Sequence, residues 1–175
     1  MKKMNFDRVG MLEHIKSKLG DNLIVAEVGC YQGDFSKEIL KNLTPKEFHM
    51  VDSWGRHLPQ YKDYRFLEKN DGWEKLYDEI KRNFNLKNVC IHRKQSMECV
   101  NEFPDKYFDF VYIDADHSYQ SVKNDILAWS RKVKDGGILS GHDYIMNSVK
   151  QALEEVRGED YFLTKERMKS WFFEI

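Results

Sequence analysis

Residues 23–28 read Leu-Ile-Val-Ala-Glu-Val, an apolar run of strand length that passes directly into a turn bounded by Gly29 and Gly33. A strand without polar alternation is buried on both faces, which is the situation of a central parallel strand. A helical period follows at once, through Phe35, Ile39, Leu40 and Leu43. The unit then recurs. Phe48-His-Met-Val51 ends at Asp52, and Val89-Cys-Ile-His92 precedes a short helix around 97–102. Phe108-Asp-Phe-Val-Tyr-Ile113 ends at Asp114, and Ile138-Leu-Ser-Gly141 follows an Asp135-Gly-Gly turn. Between them lie helical stretches at 72–84, at 119–133 behind the N-cap Ser118, and at 149–156. Such alternation predicts an α/β domain with helices on both faces of a sheet. Residues 161–164 and 171–175 predict a terminal strand pair, whose Trp171, Phe172 and Phe173 fit either sheet core or a homodimer contact.

The 175 residues predict a single domain spanning 1–175. Within it, residues 1–20 carry an N-terminal helix through Met4, Val9, Leu12, Ile15 and Leu19. Residues 55–75, polar and aromatic without clear period, read as an insertion and candidate lid. Lys and Arg number 28 against 29 Asp and Glu, so no basic footprint points to nucleic acid. No apolar run reaches the roughly 18 residues of a membrane span, and Met1 to Asp7 lacks a signal-peptide core, so a cytoplasmic chain is expected. Cys30, Cys90 and Cys99 form no C-x-x-C pair and read as buried thiols.

In doubly wound sheets, ligands sit at the carboxyl ends of the strands. The chemistry-bearing residues gather there. Glycines in the 29–33 turn permit close backbone approach to a ligand, although the spacing is not the G-x-G-x-x-G of a dinucleotide site. Asp52, at the end of the next strand, can accept both hydroxyl protons of a ribose. Together they favour a nucleoside-containing cofactor over a plain turn. Gln95 and Ser96 fit either adenine recognition or a helix cap. Asp114 and the pair His142-Asp143 end neighbouring strands, about 4.8 Å apart, so they converge. Two converging carboxylates call for a proton or a cation between them. Oxygen ligands suit Mg2+, and a histidine in the set also admits manganese or iron. His117, three residues past Asp114, has an ordinary pKa suited to a general base at neutral pH. His14 falls on a surface-like helix, and His49, His57 and His92 show no acid partner in the sequence. Tyr31, Trp54, Tyr61, Tyr64 and Trp73 are candidates for an acceptor pocket or for core.

Four segments carry a resemblance: Glu27-Val-Gly-Cys-Tyr-Gln-Gly33, Val51-Asp-Ser-Trp54, Tyr112-Ile-Asp-Ala-Asp-His-Ser-Tyr119 and Asp135-Gly-Gly-Ile-Leu-Ser-Gly-His-Asp-Tyr144. The chain resembles class I S-adenosylmethionine-dependent methyltransferases. It is most similar to their small-molecule O-methyltransferase branch, of the macrolide-sugar and cephalosporin-pathway type and like methyltransferase family 24. The resemblance implies a Rossmann-like seven-stranded sheet in the order 3-2-1-4-5-7-6, with the last strand antiparallel. It implies S-adenosyl-L-methionine held by Glu27, Gly29, Tyr31, Gly33, Asp52, Ser53, Gln95, Ser96 and Asp114. It also implies a divalent metal at Asp114, His142 and Asp143, with His117 and Asp114 catalytic. The acceptor would be a hydroxyl of a small molecule or sugar. One departure stands out: metal-dependent relatives carry an acid at the position of His142.

Two readings compete. A nicotinamide-dependent oxidoreductase shares the glycine turn and the strand-end acid. A cofactor-binding protein without transferase activity would need no acid–histidine set. A nucleic-acid methyltransferase acting on amino groups is disfavoured by the absence of an N/D-P-P-Y/F motif.

Overall fold

A computed structural model describes residues 1–55, 67, 69 and 71–175. The strands are β1 (Lys2–Lys3), β2 (Ile24–Val28), β3 (Glu47–Asp52), β4 (Val89–Arg93), β5 (Phe108–Ile113), β6 (Val133–Gly141), β7 (Phe162–Leu163) and β8 (Trp171–Glu174). The helices are α1 (Arg8–Leu19), α2 (Asp34–Leu43), α3 (Gly72–Asn83), α4 (Ser96–Cys99), α5 (Tyr119–Ser130) and α6 (Asn147–Arg157). Among the described residues the eight strands form one mixed sheet in the order β1-β7-β8-β6-β5-β2-β3-β4. The expected count of seven is therefore corrected to eight, because Lys2 and Lys3 pair in parallel with Phe162 and Leu163. Without that added edge, the order is the expected one, and β8 runs antiparallel to β6 and β7.

Two apolar layers flank the sheet. Val111 and Ile113 of β5 face the layer containing Val122, Ile126 and Trp129 of α5 and Val149 and Leu153 of α6. Phe110 and Tyr112 face the other layer, with Met11, Leu12 and Ile15 of α1, Phe35 and Ile39 of α2, and Ile80 of α3. The alternation of side chains along a strand produces this division. In β8, Trp171 and Phe173 enter the first layer and Phe172 the second, all buried. These aromatics are sheet core.

Local chemistry shifts several boundaries. The N-terminal helix begins at Arg8 and not Met4, because the Asp7 side chain accepts from the Gly10 amide and caps it. Asp135-Gly-Gly137 is no turn between elements. It lies inside β6, which starts at Val133, and Gly136 takes φ 78° where the register with β5 shifts. Such an irregularity is a bulge, for which glycine supplies the positive φ. Cys30 and Cys99 are buried, but Cys90 is exposed on edge strand β4. Most of the 55–75 insertion lies outside the described residues, including His57, Tyr61 and Tyr64. Trp54 is fully buried, tilted against Tyr77, with its indole N–H donating to the Tyr31 carbonyl. Among the described residues no helix is long and apolar enough to cross a membrane.

The remaining histidines pack into this frame. His14 stacks on Phe6. His49 and His92 do have acid neighbours, at 3.8 Å (Glu47) and 4.0 Å (Glu102). His49 Nδ1 lies 3.0 Å from His92 Nε2, and Phe103 and Phe108 meet the His49 ring edge-on. Burial, then the neighbouring His92, push the His49 pKa down to about 4. The unfolded chain therefore binds the proton first as pH falls. Stability contributed by neutral His49 is present above about pH 6.5 and is lost on the way down to about pH 4. Between pH 7 and 4.5 the native protein should lose about 2 kcal/mol more stability than H49Q, read from urea unfolding at both pH values. Equal losses would show that His49 is not titrating in this way.

Candidate active site

The turn after β2 is built by backbone. Gly29 N–H donates to the Val51 carbonyl at 2.8 Å, and Gly33 N–H donates to the Cys30 carbonyl at 2.7 Å. Gly29 has φ 91°, and a Cβ there would lie 2.1 Å from the Asp114 carbonyl oxygen. The chain ends of β2 and β5 thus meet where only glycine fits. Tyr31 (φ 46°), Trp54 (φ 39°) and Asp143 (φ 55°) also hold left-handed conformations around this rim. Non-glycine residues in that region carry strain and concentrate at functional sites.

Asp52 sits under the turn. One carboxylate oxygen accepts from the Cys30 and Tyr31 amides at 2.9 and 2.8 Å, and the other from Trp54 at 2.7 Å. Burial raises its pKa, and these amides, with that of Ser53, oppose the rise. Glu27 is 2% exposed, and the Ser36 hydroxyl donates to it. Burial pushes the Glu27 pKa up to about 8 against that hydrogen bond. Gln95 forms a capping box with Glu98 at the start of α4. Ser96 donates its hydroxyl to Asp125 and accepts from the Trp129 indole. Burial pushes Asp125 up to about 6.

The acid–histidine residues converge as expected from the strand ends. Asp114 N–H donates to the Val28 carbonyl and His142 N–H to the Ile113 carbonyl, which ties β2, β5 and β6 together at this point. His117 Nε2 lies 2.8 Å from Asp143 Oδ2 and 3.5 Å from Asp114 Oδ1. His142 Nδ1 lies 3.3 Å from Asp143 Oδ1 and 3.6 Å from Asp114 Oδ2. Two carboxylates are therefore flanked by two imidazoles, and each histidine faces a different oxygen of each acid. The close carboxylates of Asp114 and then Asp143 push His117 up to about 10, against burial. Asp143 is raised by burial, but its bonds to His117 and His142 outweigh this and hold it well below the usual carboxylate range. With both carboxylates uncompensated, this arrangement raises His117 above its unperturbed value and favours the imidazolium. Asp116 orders the next turn, accepting from Ser118 N–H and the Ser121 hydroxyl.

Among the described residues, the ligand atoms that lie within 4.8 Å of one another here are those of Asp114, His117 and Asp143; His142, expected in the metal set from the sequence, is not among them. His117 Nε2 is buried without a well-aligned hydrogen bond, despite its 2.8 Å approach to Asp143. His92, Cys99 and Glu102 also cluster, but Lys94 already pairs with Glu102.

Three residues here were not singled out from the sequence. Arg8 reaches in from α1. Ser36 and Asp125 are polar positions on the apolar faces of α2 and α5, a pattern that signals a buried hydrogen-bonded role.

The sheet order, the glycine turn after β2 and the acids closing β3 and β5 define a class I methyltransferase fold. Residues 26–144 match the family described as methyltransferase domain, and the chain belongs to that family. Solved structures agree at the level of fold. A Streptococcus mutans protein described as a candidate methyltransferase, in complex with SAH, aligns with TM-score 0.67 and 13% identity, over 98% of this chain and 99% of that one. Spermidine synthase from Thermotoga maritima aligns with TM-score 0.61 and 18% identity over 95% of this chain. The chain spans 58% of the length of that synthase. Comparison with curated protein sequences gives no match.

Proposed function

We propose that the chain is an S-adenosylmethionine-dependent O-methyltransferase acting on a hydroxyl of a small molecule or sugar. The observation that carries this reading is the convergence of Asp114, His117, His142 and Asp143 beside the glycine turn. Family membership and the SAH-bound neighbour support the choice of cofactor. Glu27 and Asp52 lie at the ends of β2 and β3, Tyr31 and Ser53 follow these strands, and Gln95 and Ser96 follow β4. The near-zero charge favours a small acceptor over nucleic acid.

Bound S-adenosylmethionine supplies a methyl group on a sulfonium, for in-line transfer to oxygen. His117 is placed to take the hydroxyl proton on Nε2 as that bond forms. At a pKa of about 10 it does so only when the charge of its two carboxylates is offset. Asp114 and Asp143 would hold a divalent ion such as Mg2+, with His142 alongside them; it would supply that offset and lower the pKa of a hydroxyl bound to it. The opposed oxygens of Asp114 and Asp143 leave His117 one side of the pair and His142 the other. The fixed strand ends orient both reactants, an effect worth about 7–11 kcal/mol where alignment is good.

Calorimetric titration with S-adenosylhomocysteine should give saturable binding, with no heat from NAD. NAD binding in its place would establish the oxidoreductase. Cofactor binding without turnover across a panel of hydroxyl acceptors, with and without Mg2+, would support the binding-protein reading.

A further inference from the structure

Arg8 is the first residue of α1, and its guanidinium is held at the carboxyl ends of β2 and β5. It lies over the Phe35 ring, 4.4 Å from the centroid, and Phe35 in turn packs on Tyr112 at 4.3 Å. The contact is a cation–π shelf that fixes the planar group from one side. Asp114 Oδ2 is 3.8 Å away, an ion-pair distance too long for a hydrogen bond. Tyr112 is its side-chain hydrogen-bond partner, and Glu27 is a further electrostatic neighbour. The guanidinium carries five N–H donors in a fork that matches a carboxylate. It is therefore oriented and charged, and beyond its bond to Tyr112 it has further donors to offer beside two acids.

We propose that Arg8 binds the α-carboxylate of the amino-acid end of the cofactor, while Glu27 and Asp114 face its ammonium. The inference rests on the S-adenosylmethionine reading above and adds a residue to it. An α-amino acid presents one anion and one cation on the same carbon. The site presents one cation between two acids, on elements joined by the Val28–Asp114 backbone hydrogen bond. The pairing is complementary in sign and order. It also gives α1 a direct share in ligand binding, since Asp7 caps the helix one residue before the guanidinium.

The test is a cycle of one substitution and one chemical deletion. S-adenosylhomocysteine, S-adenosyl-3-thiopropylamine (which keeps the ammonium and lacks the carboxylate) and 5′-methylthioadenosine are titrated into native protein and R8M. Methionine keeps an aliphatic stem on Phe35. R8M should bind S-adenosylhomocysteine about ten- to a hundred-fold more weakly, the range of a charged hydrogen bond. Its affinity for the other two ligands should stay within about two-fold of native, because they lack the group Arg8 contacts. R8K, a point charge without the fork, should fall between. Unchanged S-adenosylhomocysteine affinity in R8M would overturn the assignment, as would equal weakening of all three ligands, which marks a damaged pocket. Native protein that binds none of the three overturns the cofactor reading itself, and Arg8 with it.

Discussion

His117→Ala should lower methyl transfer by about 10²–10⁴-fold, the usual contribution of a positioned general base, with S-adenosylhomocysteine affinity near native. The separation follows from where His117 sits. Its Nε2 faces Asp114 and Asp143 at the ends of β5 and β6, whereas Asp52 closes β3 on the far side of β2. Loss of cofactor affinity together with turnover would reduce His117 to a packing role, and full turnover would remove it from the mechanism. A second measurement separates a base from a cation ligand. Titrating Mg2+ or Mn2+ into the variant should not restore the rate, because a missing proton acceptor is not supplied by more cation. Rescue by excess metal would move His117 into the ligand set with Asp114 and Asp143, whose ligand atoms it already approaches within 4.8 Å. His142 would then be the group left to accept the proton.

The strand ends were legible in the sequence for a physical reason. A buried parallel strand shows as an unbroken apolar run, so the first acid after it marks the rim of the sheet. Asp52, Asp114 and Asp143 were found that way. What the reading missed depends on tertiary partners. β1 is two exposed lysines, held by backbone pairing that leaves no trace in side-chain pattern. Asp135-Gly-Gly137 carries the composition of a turn, and only pairing on both sides makes it strand. Arg8 gave no signal, because its role comes from the distance between α1 and β5 in space. Asp125 did give one: a carboxylate among Val122, Ile126 and Trp129 on a helix face needs a partner, and Ser96 is that partner. The same contact shows why Ser96 could not be assigned from sequence alone. Its hydroxyl is already committed to Asp125 and Trp129, which anchors α4 against α5. The pKa of His117 was the largest departure, since a free imidazole value cannot anticipate two carboxylates within 3.5 Å.

Gly29→Ala should destabilise the fold by about 3–5 kcal/mol, the sum of left-handed strain and overpacking. In a chain of this length that lowers Tm by about 10 °C or more, measurable by thermal unfolding. The obstacle is rigid. A new Cβ would meet the Asp114 carbonyl oxygen at 2.1 Å, its carbon at 2.5 Å and the Ala115 Cα at 2.7 Å, all backbone. Neither side can yield by changing a rotamer. Asp114 is fixed by its amide bond to the Val28 carbonyl, and Gly29 by its bond to Val51. Gly136→Ala is the control, since it has a similar φ of 78° but its nearest foreign atom is the end of the Glu174 side chain at 3.9 Å. It should lose only about 1–2 kcal/mol, the backbone contribution alone. The difference between the two variants measures the contact between β2 and β5. Because that contact also places Asp114, the Gly29 variant should lose cofactor affinity in whatever fraction still folds. Equal stability losses would mean that the two strand ends are not locked as described, and that the site tolerates separation of Asp114 from the glycine turn.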